Sequence, residues 1–149
     1  MIGLLQRVTE ASATTGDETL GAIGIGLLVL IGIERHDSET QADRLLQRLL
    51  TYRVFADNDG KMNRNLADIQ GGLLLVPQFT LAADTRKGTR PGFSPAADPA
   101  LGEQLFNHLL DAARRQAPDH GISVAAGRFG ADMRVALVNN GPVTFWLQT

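Results

Sequence analysis

Ile23-Gly24-Ile25-Gly26-Leu27-Leu28-Val29-Leu30-Ile31-Gly32-Ile33 is the longest apolar run in the chain. It is too short to cross a bilayer, which takes about 20 apolar residues as a helix. Three glycines follow Ile23, at 24, 26 and 32, and glycine is costly inside a helix. The run is therefore expected to be a buried strand.

On its N-terminal side, Ile2 to Thr15 is rich in Val, Thr and Ile and predicts a strand. Thr15-Gly16-Asp17-Glu18 reads as a turn. On its C-terminal side, Ser38 and Gln41 have the spacing of a capping box. Ala42, Leu45, Leu46, Leu49 and Leu50 then fall on one face of an amphipathic helix. Asn58-Asp59-Gly60 is a turn, and Leu73–Val76 is a third strand that leads into Pro77-Gln78-Phe79-Thr80-Leu81. The segment from Asp84 to Asp98 has no periodicity and carries Arg86, Lys87 and Arg90, two prolines and two glycines. A loop of that length in a small domain is expected to serve function. Asp98 caps a second helix with Pro99 at its first position, and Leu101, Leu105, Phe106, Leu109 and Leu110 form its apolar face. Ile122–Ala126, Arg134–Asn139 and Val143–Leu147 read as strands, the last two joined by a turn at Asn140-Gly141-Pro142.

The order ββαβαβββ predicts an α+β domain spanning residues 1–149: a mostly antiparallel or mixed sheet packed against two helices. The strands hold many β-branched residues and few charges. Some sheet surface is therefore expected to be buried in a partner subunit.

Composition removes several function classes. Fourteen Lys and Arg against sixteen Asp and Glu give a net charge of −2. That opposes a sequence-independent nucleic-acid coat, though not a local basic patch. The absence of cysteine excludes thiolate nucleophiles, disulfides and cysteine-ligated zinc. The start of the chain has no secretory-signal pattern, so the cytoplasm is the expected compartment. Neither cofactor nor metal is expected. Gly24-Ile25-Gly26 lacks the third glycine of a dinucleotide loop. Phe55–Leu66 lacks both key carboxylates of a calcium loop. His36, His108 and His120 are scattered, and Ser94 has no nucleophile-elbow context. No catalytic triad can be assembled by spacing, so an enzyme built on this chain must use backbone donors or the substrate's own groups.

Two segments carry a resemblance. Leu75-Val76-Pro77-Gln78-Phe79-Thr80-Leu81-Ala82-Ala83-Asp84-Thr85 and Val138-Asn139-Asn140-Gly141-Pro142-Val143-Thr144-Phe145-Trp146-Leu147 resemble the two signature motifs of D-aminoacyl-tRNA deacylases. Ile2–Val8, Gly60–Asn63, Arg90–Ser94 and Gly127–Met133 are similar to further family segments, in order along the whole chain. The resemblance implies a homodimer with active sites at the interface. It implies a substrate in which an ester joins an amino acid to the terminal adenosine of tRNA, with D-amino acids and some glycine removed and L-amino acids spared. By resemblance, Gly141 and Pro142 form a cis-peptide wall that reaches into the neighbouring protomer's pocket and rejects L-side chains, and Arg7 supports it. Gln78, Phe79 and Thr80 line the catalytic site, with Thr80 as nucleophile in one view and the tRNA 2′-hydroxyl in another. Pro77, Phe129 and Met133 are expected in the pocket, and Arg86, Lys87 and Arg90 on the acceptor end of the tRNA, with no DNA or membrane partner.

Each residue has a physical rationale. Gly141 lets backbone approach a ligand closely, and an ester needs little beyond oriented N–H donors. Arg7, inside an apolar strand, must find an acceptor. Pro77 departs from the family, which usually has serine there; proline removes a hydroxyl and an amide. A related animal group with relaxed chirality carries this proline, whereas Phe79 and Val143 resemble the D-specific group. Two alternatives follow: an editing deacylase with relaxed chirality, and a non-catalytic tRNA-binding module.

Overall fold

The computed structural model describes all residues from 1 to 149. Eight strands and two helices follow one another as β1 (Ile2–Thr15), β2 (Glu18–Ile23), β3 (Gly26–Gly32), α1 (Glu39–Thr51), β4 (Phe55–Ala56), β5 (Met62–Arg64), β6 (Gly72–Pro77), α2 (Pro99–Gln116), β7 (Ser123–Ala126) and β8 (Arg134–Gln148). The architecture is the expected α+β class, with a mixed, barrel-like sheet.

β1 organises the sheet. Its first half pairs antiparallel with β3, Ile2↔Gly32 to Val8↔Gly26, and its second half pairs on the same side with β2, Ala11↔Ile23 to Thr15↔Glu18. Its other side carries β8 along nearly its whole length. Beyond β3 lie β6 and then β7, both parallel to their neighbours, so each needs a crossover. α1 and the β4–β5 hairpin fill the first crossover, and α2 the second.

The expected strand Ile23–Ile33 is the shorter β3, Gly26–Gly32, and a separate strand before it, β2, is one that the sequence reading misses. The chain ends β2 at Ile23, bends at Gly24-Ile25 and starts β3 at Gly26. The cause is steric: a Cβ on Gly26 would stand 2.0 Å from the Gly72 carbonyl oxygen. Only glycine lets β6 come that close while the chain turns the corner. Conversely, two expected strands are one. Arg134–Asn139 and Val143–Leu147 belong to a single β8, and Asn140–Pro142 is a bulge within it rather than a turn between strands. The β4–β5 hairpin, around the expected Asn58–Gly60 turn, is too short to carry a periodic signal. There the Asp57 carboxylate accepts from the Asp59 and Lys61 amides and from Asn63 Nδ2, and the Asn63 bond foremost holds its pKa below the usual value.

The sheet buries apolar side chains on both faces. Leu5, Leu27, Val29, Leu73 and Leu75 join Leu45, Leu49, Leu105, Phe106 and Leu109 in the main core beneath the helices. Leu28, Leu74, Val76, Val8 and Ile23 form a smaller core on the other side, where Val135 and Leu137 of β8 pack. Burial on both faces is why β3 and β6 read as unbroken apolar runs. Both helices begin as expected. Ser38 and Gln41 close a capping box, and the Asp98 carboxylate accepts from the Leu101 amide at 3.0 Å. Neither is long and apolar enough to cross a membrane.

Candidate active site

Where β6 leaves the sheet, a cavity of about 490 Å³ opens. The end of β6 and the turn after it give Val76, Pro77, Gln78 and Phe79. The start of α2 gives Asp98, Pro99 and Gly102, and the β7–β8 connection gives Phe129 to Met133. Five expected site residues are thus brought together: Pro77, Gln78, Phe79, Phe129 and Met133.

β6 stops here for a reason visible in the ladder. Pro77 is its last residue, opposite Ile31, and the Gln78 amide makes one more bond, to the Ile31 carbonyl at 2.7 Å. The chain then winds into a single 3-10 turn, Phe79–Ala82. The amides of Phe79 and Thr80 head that turn and lie outside its hydrogen-bonding pattern. Gln78 Nε2 donates to Thr80 Oγ1 at 2.6 Å. That is the one side-chain bond the Thr80 hydroxyl makes, and neither histidine nor carboxylate reaches it. Thr80 itself is exposed beside the cavity rather than among its lining residues. The histidines lie elsewhere, His108 being tied to Asp43 at 2.8 Å. No cluster of His, Asp or Glu able to hold a metal is present.

The expected loop is more ordered than its composition suggests. Asp84 and Gly92 exchange backbone bonds at 2.7 and 2.9 Å, and Ala96 bridges to Glu34. This folds Phe93 back onto Phe79, with ring centroids 5.2 Å apart. Both rings remain exposed. Sequence reasoning assigns Phe93 no role, although it lies in the family-like segment Arg90–Ser94 of an aperiodic loop. Of the three loop cations, Arg86 is engaged by Asp84 through bonds of 2.8 and 2.7 Å, which hold the Asp84 carboxyl far below the usual carboxylate range. Lys87 and Arg90 are exposed and make no ion pair.

Gly141, Pro142 and Arg7 stand apart from the cavity. Gln6 pairs with Thr144 and Val8 with Asn139, so residues 140–143 bulge out of the ladder opposite Arg7. The Gly141–Pro142 peptide bond is cis. Gly141 has φ +147°, and a Cβ there would stand 2.6 Å from Val143 Cγ2 and 3.1 Å from Arg7 Nη2. Arg7 resolves the problem of a charge in an apolar strand by donating from Nε to the Asn140 carbonyl at 2.7 Å and from Nη1 to the Val54 carbonyl at 2.5 Å. Asn139, to which the sequence assigns no role, completes the brace. Its Oδ1 accepts from the Val143 amide at 2.7 Å, and its Nδ2 donates to Thr144 Oγ1 at 3.0 Å. Its signal in the sequence is its place in the second motif, just before Asn-Gly-Pro. From Val135, which lines the cavity, to Gly141 is six residues of strand, about 20 Å at roughly 3.3 Å per residue.

The family model for D-Tyr-tRNA(Tyr) deacylase matches residues 4–148. A D-aminoacyl-tRNA deacylase of Herminiimonas arsenicoxydans is 60% identical, over 99% of this chain and 97% of its own length. One from Pseudomonas putida is 62% identical over 99% of both chains. A solved structure described as a c-Myc DNA unwinding element binding protein superposes with a TM-score of 0.91 at 37% identity, over 100% of this chain and 99% of that one. With these matches along its whole length, the chain belongs to the D-Tyr-tRNA(Tyr) deacylase family, hydrolases of the aminoacyl-tRNA ester bond.

Proposed function

We propose that the chain works in the cytoplasm as a homodimer that clears D-amino acids, and glycine, from tRNA, the Gly141–Pro142 bulge of one protomer closing the cavity of the other. The observation that carries this reading is the separation within one chain: a cavity at the end of β6 and an exposed, braced bulge, about 20 Å along β8 from the cavity wall. A second copy brings the two parts together. The outer side of β8 supports the pairing, since it has no strand partner and exposes Val138 and Trp146.

The aminoacyl-adenosine end of the tRNA enters the cavity. Water adds to the acyl carbon and gives a proton to the 2′-hydroxyl, which passes its own proton to the departing 3′-oxygen as the acyl–oxygen bond to the ribose breaks, so that free amino acid and tRNA leave. The amides of Phe79 and Thr80 stabilise the oxyanion, each such donor contributing about 3–4 kcal/mol. Thr80 lacks a base within reach, which favours this route over a threonine nucleophile. The bulge rejects L-side chains by its backbone, a wall that no side-chain rotation relaxes. Lys87 and Arg90 meet acceptor-end phosphates, and Arg86 joins them by leaving Asp84. DNA recognition, which the description of the superposing protein mentions, has little support in a chain with a net charge of −2.

Pro77 favours a second reading, relaxed chirality, because it lines the cavity with neither an amide hydrogen nor a hydroxyl. One assay separates the two: a deacylation time course on matched D-tyrosyl-, L-tyrosyl- and glycyl-tRNA with substoichiometric protein. Rapid loss of the D-ester with the L-ester intact is the expected result. Loss of the L-ester as well establishes the relaxed reading, and turnover of none overturns both.

A further inference from the structure

Two aromatic rings stand in water at the mouth of the cavity. Phe79 is 59% exposed and Phe93 is 42% exposed. Their centroids are 5.2 Å apart and their planes are inclined at 48°, so neither ring fully covers the other's face. Phe79 belongs to the lining of the 490 Å³ cavity and Phe93 does not. The pair therefore starts at the cavity and runs outward from it.

The backbone fixes both rings. Phe79 directly follows Gln78, whose amide is bonded to the Ile31 carbonyl at 2.7 Å. Phe93 is held between two anchors. Before it, Asp84 and Gly92 exchange backbone bonds. After it, the Arg35 amide donates to the Pro95 carbonyl at 2.9 Å and the Ala97 amide to the Ile33 carbonyl at 3.0 Å. The Asp84–Gly92 bridge also closes the loop that carries Lys87 and Arg90, both exposed and in no ion pair. Flat apolar faces beside two unpaired positive charges match a partner that carries planar bases and phosphates together. An unpaired stretch of RNA offers both.

We propose that the Phe79 and Phe93 rings form a stacking platform for the unpaired nucleotide that precedes the terminal adenosine, with Lys87 and Arg90 beside its phosphate. This rests on the reading of the cavity as the seat of the aminoacyl-adenosine end, and it adds a subsite outside that cavity. Stacking accepts any base, so the platform contributes affinity without choosing among sequences. Because both rings are held in place before the RNA arrives, little ordering is lost on binding. The Phe93 ring acts in binding and takes no part in bond breaking, so its loss moves KM and leaves kcat unchanged.

The test is steady-state kinetics of the parent, Phe93→Leu and Phe93→Trp on three substrates: D-tyrosyl-adenosine, the D-tyrosyl ester of cytidylyl-adenosine, and D-tyrosyl-tRNA. In the parent, KM is expected to be about tenfold lower for the dinucleotide ester than for the nucleoside ester, the contribution of one stacked base. Phe93→Leu should remove that gain for the dinucleotide and the tRNA while leaving the nucleoside ester and kcat unchanged. Phe93→Trp should keep it. Equal KM values for the two short esters in the parent would overturn the platform, whatever the variants do. A Phe93→Leu protein that weakens all three substrates alike would also overturn it; a shift toward monomer in sedimentation would then assign the ring to a contact between copies. A parent that leaves D-tyrosyl-tRNA intact would instead overturn the reading of the cavity itself.

Discussion

The cavity beside Pro77 and the bulge at Gly141 are built in opposite ways. The cavity is concave, and its walls come from β6, α2 and the β7–β8 connection, each anchored in one of two apolar cores. No single hydrogen bond holds it. The bulge is convex and exposed at Asn140–Pro142, with Val143 alone packed against the core, and its shape depends on hydrogen bonds from two side chains, Arg7 and Asn139. A wall made of packing shares its stability among many contacts. A wall made of backbone held by two side chains concentrates it, and single substitutions should therefore act very differently in the two regions.

The sharpest way to break this comparison is Arg7→Met. It removes a charged donor bridging two carbonyls, so thermal or urea unfolding should show a loss of about 2–4 kcal/mol. Discrimination against L-tyrosyl-tRNA should fall with it; full discrimination in a folded Arg7→Met protein would mean the bulge holds its shape unaided. Asn139→Ala leaves the Val143 amide without its acceptor, and about 1–2 kcal/mol is expected in the same unfolding measurement.

These two residues also show where sequence stops being informative. The helices were legible from capping and periodicity, since Ser38, Gln41, Asp98 and Pro99 act locally. β3 and β6 were legible as apolar runs because both of their faces are covered. The break at Gly24-Ile25 was not, because it depends on how closely Gly26 meets Gly72, a residue far along the chain. Likewise, a charge in an apolar strand shows that Arg7 needs a partner, but only the fold supplies Asn140 and Val54. The site residues were named through family resemblance, and the division into a pocket and a distant bulge has no trace in their spacing.

On the cavity side the expected effects are smaller. Thr80→Ala removes one exposed bond, so stability should change by less than about 0.5 kcal/mol. Residual deacylation within about tenfold of the parent would agree with oxyanion stabilisation by backbone amides, whereas loss of a general-base or nucleophilic role costs orders of magnitude more. Asp84→Asn should have the smallest effect. Its folded pKa is depressed by Arg86, so the ion pair contributes above the ordinary carboxylate value near 3.8 and is lost only as pH falls through the lowered one. Exchange protection of the Gly92 amide should therefore hold from pH 7 to well below the ordinary carboxylate value in the parent and fall only in stronger acid. The Asn variant should show weaker protection with no acid-side transition.

β1 and β8 pair along nearly their full lengths, with Ile2 opposite Gln148. The strand that carries Arg7 and the strand it braces are thus separated by almost the whole chain. Closing so long a loop is slow, and topologies dominated by such contacts fold in the millisecond-to-second range. During synthesis, β3, β6 and their helices are available before β8 exists. Most of the apolar core can assemble first, Leu147 joining it with β8, and the Gly141–Pro142 bulge forms only when the C-terminal strand docks, so the element proposed to select chirality is the last to appear.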